Sequence, residues 1–154
     1  MNSIALLLSL SLLATWFQNT TVRSEHNVLT GHWVLNRAKS KFQHPTLFQP
    51  SSRDFSVTGD EVSISSPLVD GAGKEVKERS TVIYKADGNE QRQDKLFIVT
   101  IARWLEPRVL EVVSKNPALG EVVNRVRFNV SADGQTMTVT YAMLPGHVVV
   151  YDRK

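Results

Sequence analysis

From residue 30 onward, apolar and polar residues alternate in short runs, and glycine, proline, asparagine or aspartate punctuates them. In residues 136–143, Met137, Val139, Tyr141 and Met143 take one side, and Thr136, Thr138, Thr140 and Ala142 the other. In residues 121–130, Val122, Val126, Phe128 and Val130 share a side with Asn124, opposite Glu121, Arg125, Arg127 and Asn129. In residues 76–84, Val76, Val82 and Tyr84 line up with Glu78 and Ser80, opposite Lys77 and Arg79. Phe55 and Val57 alternate in the same way within "DFSVT". Successive side chains of a strand point to opposite faces, so a period of two predicts one dry and one wet face. Between the runs stand Gly59-Asp60, Asp70 through Gly73, Asp87-Gly88-Asn89, Glu106-Pro107, Asn116-Pro117 through Gly120, Asp133-Gly134 and Pro145-Gly146. Glycine supplies positive φ and proline presets φ for a reversal, so the succession predicts an antiparallel meander.

A sheet with one dry face must cover it. No strong amphipathic helix is present to do so, and closing the sheet on itself covers the face and removes both edges. The expected fold is therefore all-β, an up-and-down meander of eight to nine strands closed into a small barrel. Two stretches also fit helical spacing: Phe97, Ile101, Trp104 and Leu105, and Leu119, Val122, Val123 and Val126. Strands are expected for both, because "IVTI" is β-branched throughout and the second stretch alternates cleanly beyond Asn124. Residues 43–52 carry two prolines and read as a loop.

The inward positions expected to line the interior are Phe55, Val57, Glu78, Ser80, Val82, Tyr84, Asn124, Val126, Phe128, Val139 and Tyr141. A barrel of this size is either just filled by side chains or holds one small ligand. A mixture of valine, aromatic residues and adaptable methionine suits a small apolar or amphipathic ligand. The alternative is a cavity-free structural or interaction module, docking through Ile83 or the "RWLEPRVL" hairpin. Glu78 on an inward face is either a carboxyl with a raised pKa or a group reaching solvent at the barrel mouth. Asn124 reads equally as a satisfied core amide.

The first residues change the picture of location. No charged side chain precedes Arg23, and Ile4 to Phe17 is nearly all apolar. That run is short of the roughly 20 residues a membrane helix needs. It fits the core of a secretory signal peptide occupying residues 1–24, with the mature domain at 25–154 and a secreted or periplasmic destination. An uncleaved anchor and a buried helix are the rivals. The chain has no cysteine, which excludes disulfides, thiolate metal sites and a cysteine nucleophile. The net charge is only +3 across 154 residues, without the clustered basic face expected of a nucleic-acid binder.

Two segments resemble a known group. "GHWVLNRAKSKF" is similar to the "GTWKLN-x-x-KSKF" opening of small exported bacterial proteins with a lipocalin-like, calycin-type barrel, and Gly31-His32-Trp33 resembles the G-x-W opening of lipocalins. "VSADGQTMTVTY" and "VVVYDRK" resemble the same group's closing strands. The resemblance covers residues 30–42 and about 126–154. It implies a lipocalin-like barrel in which Gly31 and Trp33 close the bottom and Arg153 packs over the indole as a cation–π partner. Arg37, Lys39 and Lys41 then form a basic strap across a barrel end, or simply a solvated edge.

No constellation of catalytic residues stands out, and no cofactor motif is present. His32 and His147 would approach each other if the first and last strands pair, with Asp152 as a third ligand, but nothing in the spacing matches a metal signature. His26 is expected in a flexible lead, and His44 in the 43–52 loop.

Overall fold

The structure, a computed structural model, describes residues 25–43, 48–94 and 97–154. The segment expected to form a signal-peptide helix lies outside the described residues, as does His44. The chain forms β1 (Gly31–Leu35), β2 (Ser52–Thr58), β3 (Glu61–Val69), β4 (Glu75–Lys85), β5 (Asp87–Gln93), β6 (Ile98–Glu106), β7 (Val109–Lys115), β8 (Val122–Val130), β9 (Thr136–Tyr141) and β10 (Val148–Arg153). They make one antiparallel sheet ordered β4-β3-β2-β1-β10-β9-β8-β7-β6-β5.

Ten strands replace the expected eight or nine. The extra strand is β5, "DGNEQRQ", which has no apolar side chain to bury and so gives no alternation to read. The first and last strands do pair, with Trp33 opposite Arg153 and Leu35 opposite Tyr151. The barrel is nearly closed, because the ladder is interrupted between β4 and β5, which remain the two edges. Side chains bridge that seam. The Gln91 amide accepts from Lys85 N at 2.7 Å and donates to Lys85 O at 2.5 Å, and Gln93 Nε2 donates to Ile83 O at 3.1 Å. Two glutamines thus satisfy part of an edge that would otherwise invite pairing with another chain. Both stretches with helical spacing are strands, in β6 and β8.

The core gathers the inward residues of the strands, among them Trp33, Phe55, Val62, Leu110, Met137, Val139, Val149 and Tyr151. At one end a 3-10 turn, Glu25–Leu29, closes the barrel. Trp33 is fully buried there, and its indole Nε1 donates to Leu29 O at 2.9 Å. The Arg153 guanidinium carbon lies 4.3 Å from the Trp33 ring centroid. Arg153 also donates to Gly134 O and Thr30 O, each at 2.6 Å, and to Val28 O. One cation therefore ties the 3-10 turn, the start of β1 and the β8–β9 turn to the indole. Burial draws the Arg153 pKa below its ordinary value, and the ring and three carbonyls compensate for the lost water.

Gly31 is required at this joint. Its φ is +145°, and a Cβ built on it would sit 2.6 Å from Arg153 Nη1. Gly31→Ala is expected to destabilise the fold by about 2 kcal/mol, from strained backbone plus a displaced guanidinium. Urea unfolding followed by circular dichroism reads this directly, and an unchanged midpoint would contradict it.

His26 is not in a flexible lead. Its ring stacks on Trp104 with centroids 4.1 Å apart, and its Nδ1 donates to Pro107 O at 3.1 Å. The stacking partner is far away in sequence, so no local pattern announces it. Of the two readings of the basic residues, the structure fits the solvated edge: Arg37, Lys39 and Lys41 are all exposed. Lys39 pairs with Asp152 at 2.9 Å, one residue from Arg153, and Lys41 bridges to Val148, so the run lies along β10 rather than across a barrel end.

On the outer face of β7, Glu111 is completely covered. Arg103 holds its Oε1 at 2.8 Å, Arg127 its Oε2 at 2.8 Å, and Arg125 stands 3.6 Å away. The cover is a thin layer of half-exposed arginine side chains. Burial pushes the carboxyl pKa up, but the hydrogen bonds from Arg103 and Arg127 and the charge of Arg125 outweigh it and hold it below the usual range. A depressed folded pKa stabilises the fold above the unfolded value, about 4.3, and that contribution is lost as pH falls through the folded value. Glu111→Gln is expected to cost about 1–2 kcal/mol near neutrality, discounted for the exposed partners. The gap between wild type and variant should close on acidification below about pH 4.3. Parallel thermal melts across that range check it, and a pH-independent gap would refute it.

Candidate functional site

Along β3, β4, β7 and β8 the inward side chains fall into register rows. Ile64 stands opposite Val82, and Ser66 opposite Ser80. Leu110 faces Phe128, Val112 faces Val126, and Ser114 faces Asn124. These two walls, with Arg53 from β2 and Tyr141 from β9, bound an open cavity of about 290 Å³ in the barrel interior. Of the residues expected inside, Ser80, Val82, Tyr84, Asn124, Val126, Phe128 and Tyr141 line it.

The other four do not line this cavity. Phe55 and Val139 belong to the packed core, with Phe55 edge-on to Phe128 at 5.4 Å. Val57 packs against that core from the closed end. Glu78 keeps the parity of Ser80 but lies two residues nearer the β3–β4 turn, where β4 has run past the interior and its side chain is exposed. Its carboxyl is therefore no interior group.

Five lining residues escaped the sequence reading: Arg53, Ile64, Ser66, Val112 and Ser114. Parity was the available signal, since Arg53 is in phase with Phe55 and Val57 along β2. A charged residue at the start of a strand reads as a solvated end, which hid it.

Arg53 dominates the electrostatics of the cavity. Its Nε donates to Tyr151 Oη at 3.2 Å, and its guanidinium carbon lies 5.9 Å from the Phe128 centroid and 5.7 Å from that of Tyr151. No carboxylate among the described residues pairs with it, and its two terminal nitrogens make no hydrogen bond to them. Tyr151 Oη donates its own proton to Pro50 O at 3.1 Å. Burial raises the pKa of both Tyr84 and Tyr151, and the Arg53 charge only partly offsets it. Tyr84 therefore stays a neutral donor on the cavity wall, while the Tyr151 proton is already committed to Pro50 O. An aliphatic wall, the Tyr84 phenol and a guanidinium fork without a carboxylate partner favour an anionic group with an apolar remainder.

A larger cleft of about 490 Å³ lies at the mouth, lined by Arg37, Phe42, Phe48, Gln49, Ser51, Gly73 and Glu75. Its walls are strand ends and loops, and Glu75 is already engaged by the Ser51 amide at 2.5 Å and by the Ser51 hydroxyl. Gln49 separates it from the interior. This buried amide accepts from Tyr141 Oη at 3.0 Å and approaches His147 Nε2 at 3.4 Å.

The histidines are not brought together. His32 lies beside the β10 C-terminus, where Lys154 N bonds its carbonyl, and pairs with Asp54 at 2.5 Å. His147 precedes the other end of β10, about 20 Å away along the strand. No group of three potential metal ligands occurs among the described residues.

No family model and no curated protein sequence matches the chain. Solved structures do. The chain is similar to a point mutant of the fluorescent protein UnaG, with TM-score 0.58 and 14% identity over 82% of this chain and 96% of that one. It is also similar to a Schistosoma mansoni fatty acid binding protein in complex with arachidonic acid, with TM-score 0.55 and 14% identity over 84% of this chain and 98% of that one. At such low identity the likeness is one of fold alone, an antiparallel β-barrel.

Proposed function

We propose that this protein is an exported barrel that holds one small apolar or amphipathic molecule in its interior, with an acidic group of that molecule on Arg53. The observation that carries this reading is the unpaired guanidinium inside an aliphatic-walled cavity. Arg53 is partly buried in this open cavity and has no carboxylate partner among the described residues, so an acidic ligand would supply a charge-assisted hydrogen bond that the protein itself does not. The complex of a similarly folded protein with arachidonic acid supports it by analogy. Titration of the full chain with an environment-sensitive dye, followed by displacement with fatty acids of graded length, is expected to give saturable binding. Absence of any saturable binding would remove the reading.

Export rests on the uncharged apolar segment before Arg23, with residues 1–24 as signal peptide and a mature start near Glu25. N-terminal sequencing of the protein recovered from a cell-envelope fraction tests it. A second reading, an interaction module, is favoured by the mouth. Phe48, Leu68, Val69, Phe97, Leu119, Val122, Val123 and Met143 are exposed around that end, whereas Ile83 and Leu105 are the large apolar exceptions elsewhere among the described residues. The "RWLEPRVL" hairpin is a poor docking site by comparison, because Leu110 is fully buried. Filling the interior with Val126→Trp separates the readings, since it should abolish dye binding and leave a rim-mediated contact intact.

A further inference from the structure

We infer that the cavity is built for a molecule with two polar ends, an acid at Arg53 and a hydroxyl or carbonyl at the Ser114–Asn124 pair; this rests on the ligand-binding reading above. Ser114 and Asn124 are register partners on the cavity face of β7 and β8. Neither side chain makes a hydrogen bond to any described residue. Val112 and Val126, the next inward pair, separate them from the row of Phe128, over which the Arg53 guanidinium lies. Asn124 and Phe128 are four residues apart on one strand, so the two poles are on the order of 10 Å apart.

The arrangement discriminates by what it penalises. A plain alkyl tail laid against Ser114 and Asn124 would displace water from their donors and acceptors and return no hydrogen bond. A hydroxyl or carbonyl at that point satisfies them, and the aliphatic row between the poles takes a short apolar middle. The cavity, at about 290 Å³, is at the small end for ligand sites. A compact bipolar molecule therefore fits better than a long fatty chain. The ligand class is a medium-chain acid carrying a hydroxyl or keto group at its far end.

Calorimetric titration of the full chain with omega-hydroxydecanoate, decanoate and decanol tests this. On the wild-type protein omega-hydroxydecanoate is expected to bind about tenfold more tightly than decanoate, the size of one well-placed hydrogen bond. In the Ser114→Ala/Asn124→Leu double variant that order should level or reverse, while both acids still bind through Arg53. Equal binding of the two acids to the wild-type protein would overturn the inference, whether or not the variant folds. So would a hydroxyl preference that survives in the double variant. Saturable decanoate binding without hydroxyl preference leaves the acid-binding reading standing alone. If none of the three probes binds, both readings fall.

Discussion

Trp33→Ala is expected to lower the unfolding free energy by about 4 kcal/mol, the typical cost of emptying a fully buried indole site. The effect is larger than the lost area alone because the ring is a shared fixture. It anchors the 3-10 turn through Leu29 O and gives Arg153 the surface over which its charge is tolerated. Without the indole, a partly buried guanidinium keeps its three carbonyls but faces a void. With native stabilities of roughly 5–15 kcal/mol, the variant should be marginal at physiological temperature. Trp33→Phe retains an aromatic face and should cost about 2 kcal/mol, reflecting the missing Nε1 donor and a smaller ring. Urea unfolding of the two variants gives both values. A loss below about 1 kcal/mol for the alanine variant would show that the barrel end is closed by other contacts.

Arg53→Met should separate binding from stability. Affinity for carboxylates is expected to fall by about tenfold or more, since a charge-assisted hydrogen bond is worth about 1.5–3 kcal/mol. Affinity for a neutral alcohol of equal length should stay unchanged. The ligand-free variant should be at least as stable as wild type, by up to about 1 kcal/mol, because methionine fills similar volume without an uncompensated charge. The bond to Tyr151 Oη and the guanidinium's contacts with the Phe128 and Tyr151 rings are given up; the Tyr151 hydroxyl keeps Pro50 O, and methionine retains apolar contact with both rings. Dye-displacement affinities and denaturation midpoints measure the two effects. Equal loss of acid and alcohol binding would mean that Arg53 only shapes the wall. A large drop in stability would mean that it is structural.

Much of this was legible along the chain. Alternation in residues 121–130 and 136–143 determined which side of β8 and β9 is dry, because a strand offers side chains only two directions. The turn residues located the reversals except at Asp87-Gly88-Asn89, which lie within β5, and the missing helical pattern left closure as the way to cover the dry face. Those rules are local, and they sufficed for an all-β meander and for most of one cavity wall.

The remainder depended on distances that no local rule contains. β5 was invisible because its glutamines bridge a seam, so it carries no apolar phase. The seam itself, between two strands consecutive in sequence, arises because β1 and β10 pair instead. Glu78 kept the right parity but lies beyond the length of strand that encloses the interior, and parity does not report depth. His26 and Trp104 meet only because the 3-10 turn folds under the barrel. Arg53 stands apart from these: its phase was written in the sequence, but whether a carboxylate would meet it inside was decided by how the walls come together. The sequence by itself determined the two faces of each strand, because side-chain alternation is a property of a single chain segment. Only the tertiary structure decided which inward groups share one space and which remain without a partner there, because that depends on closure, tilt and strand length together.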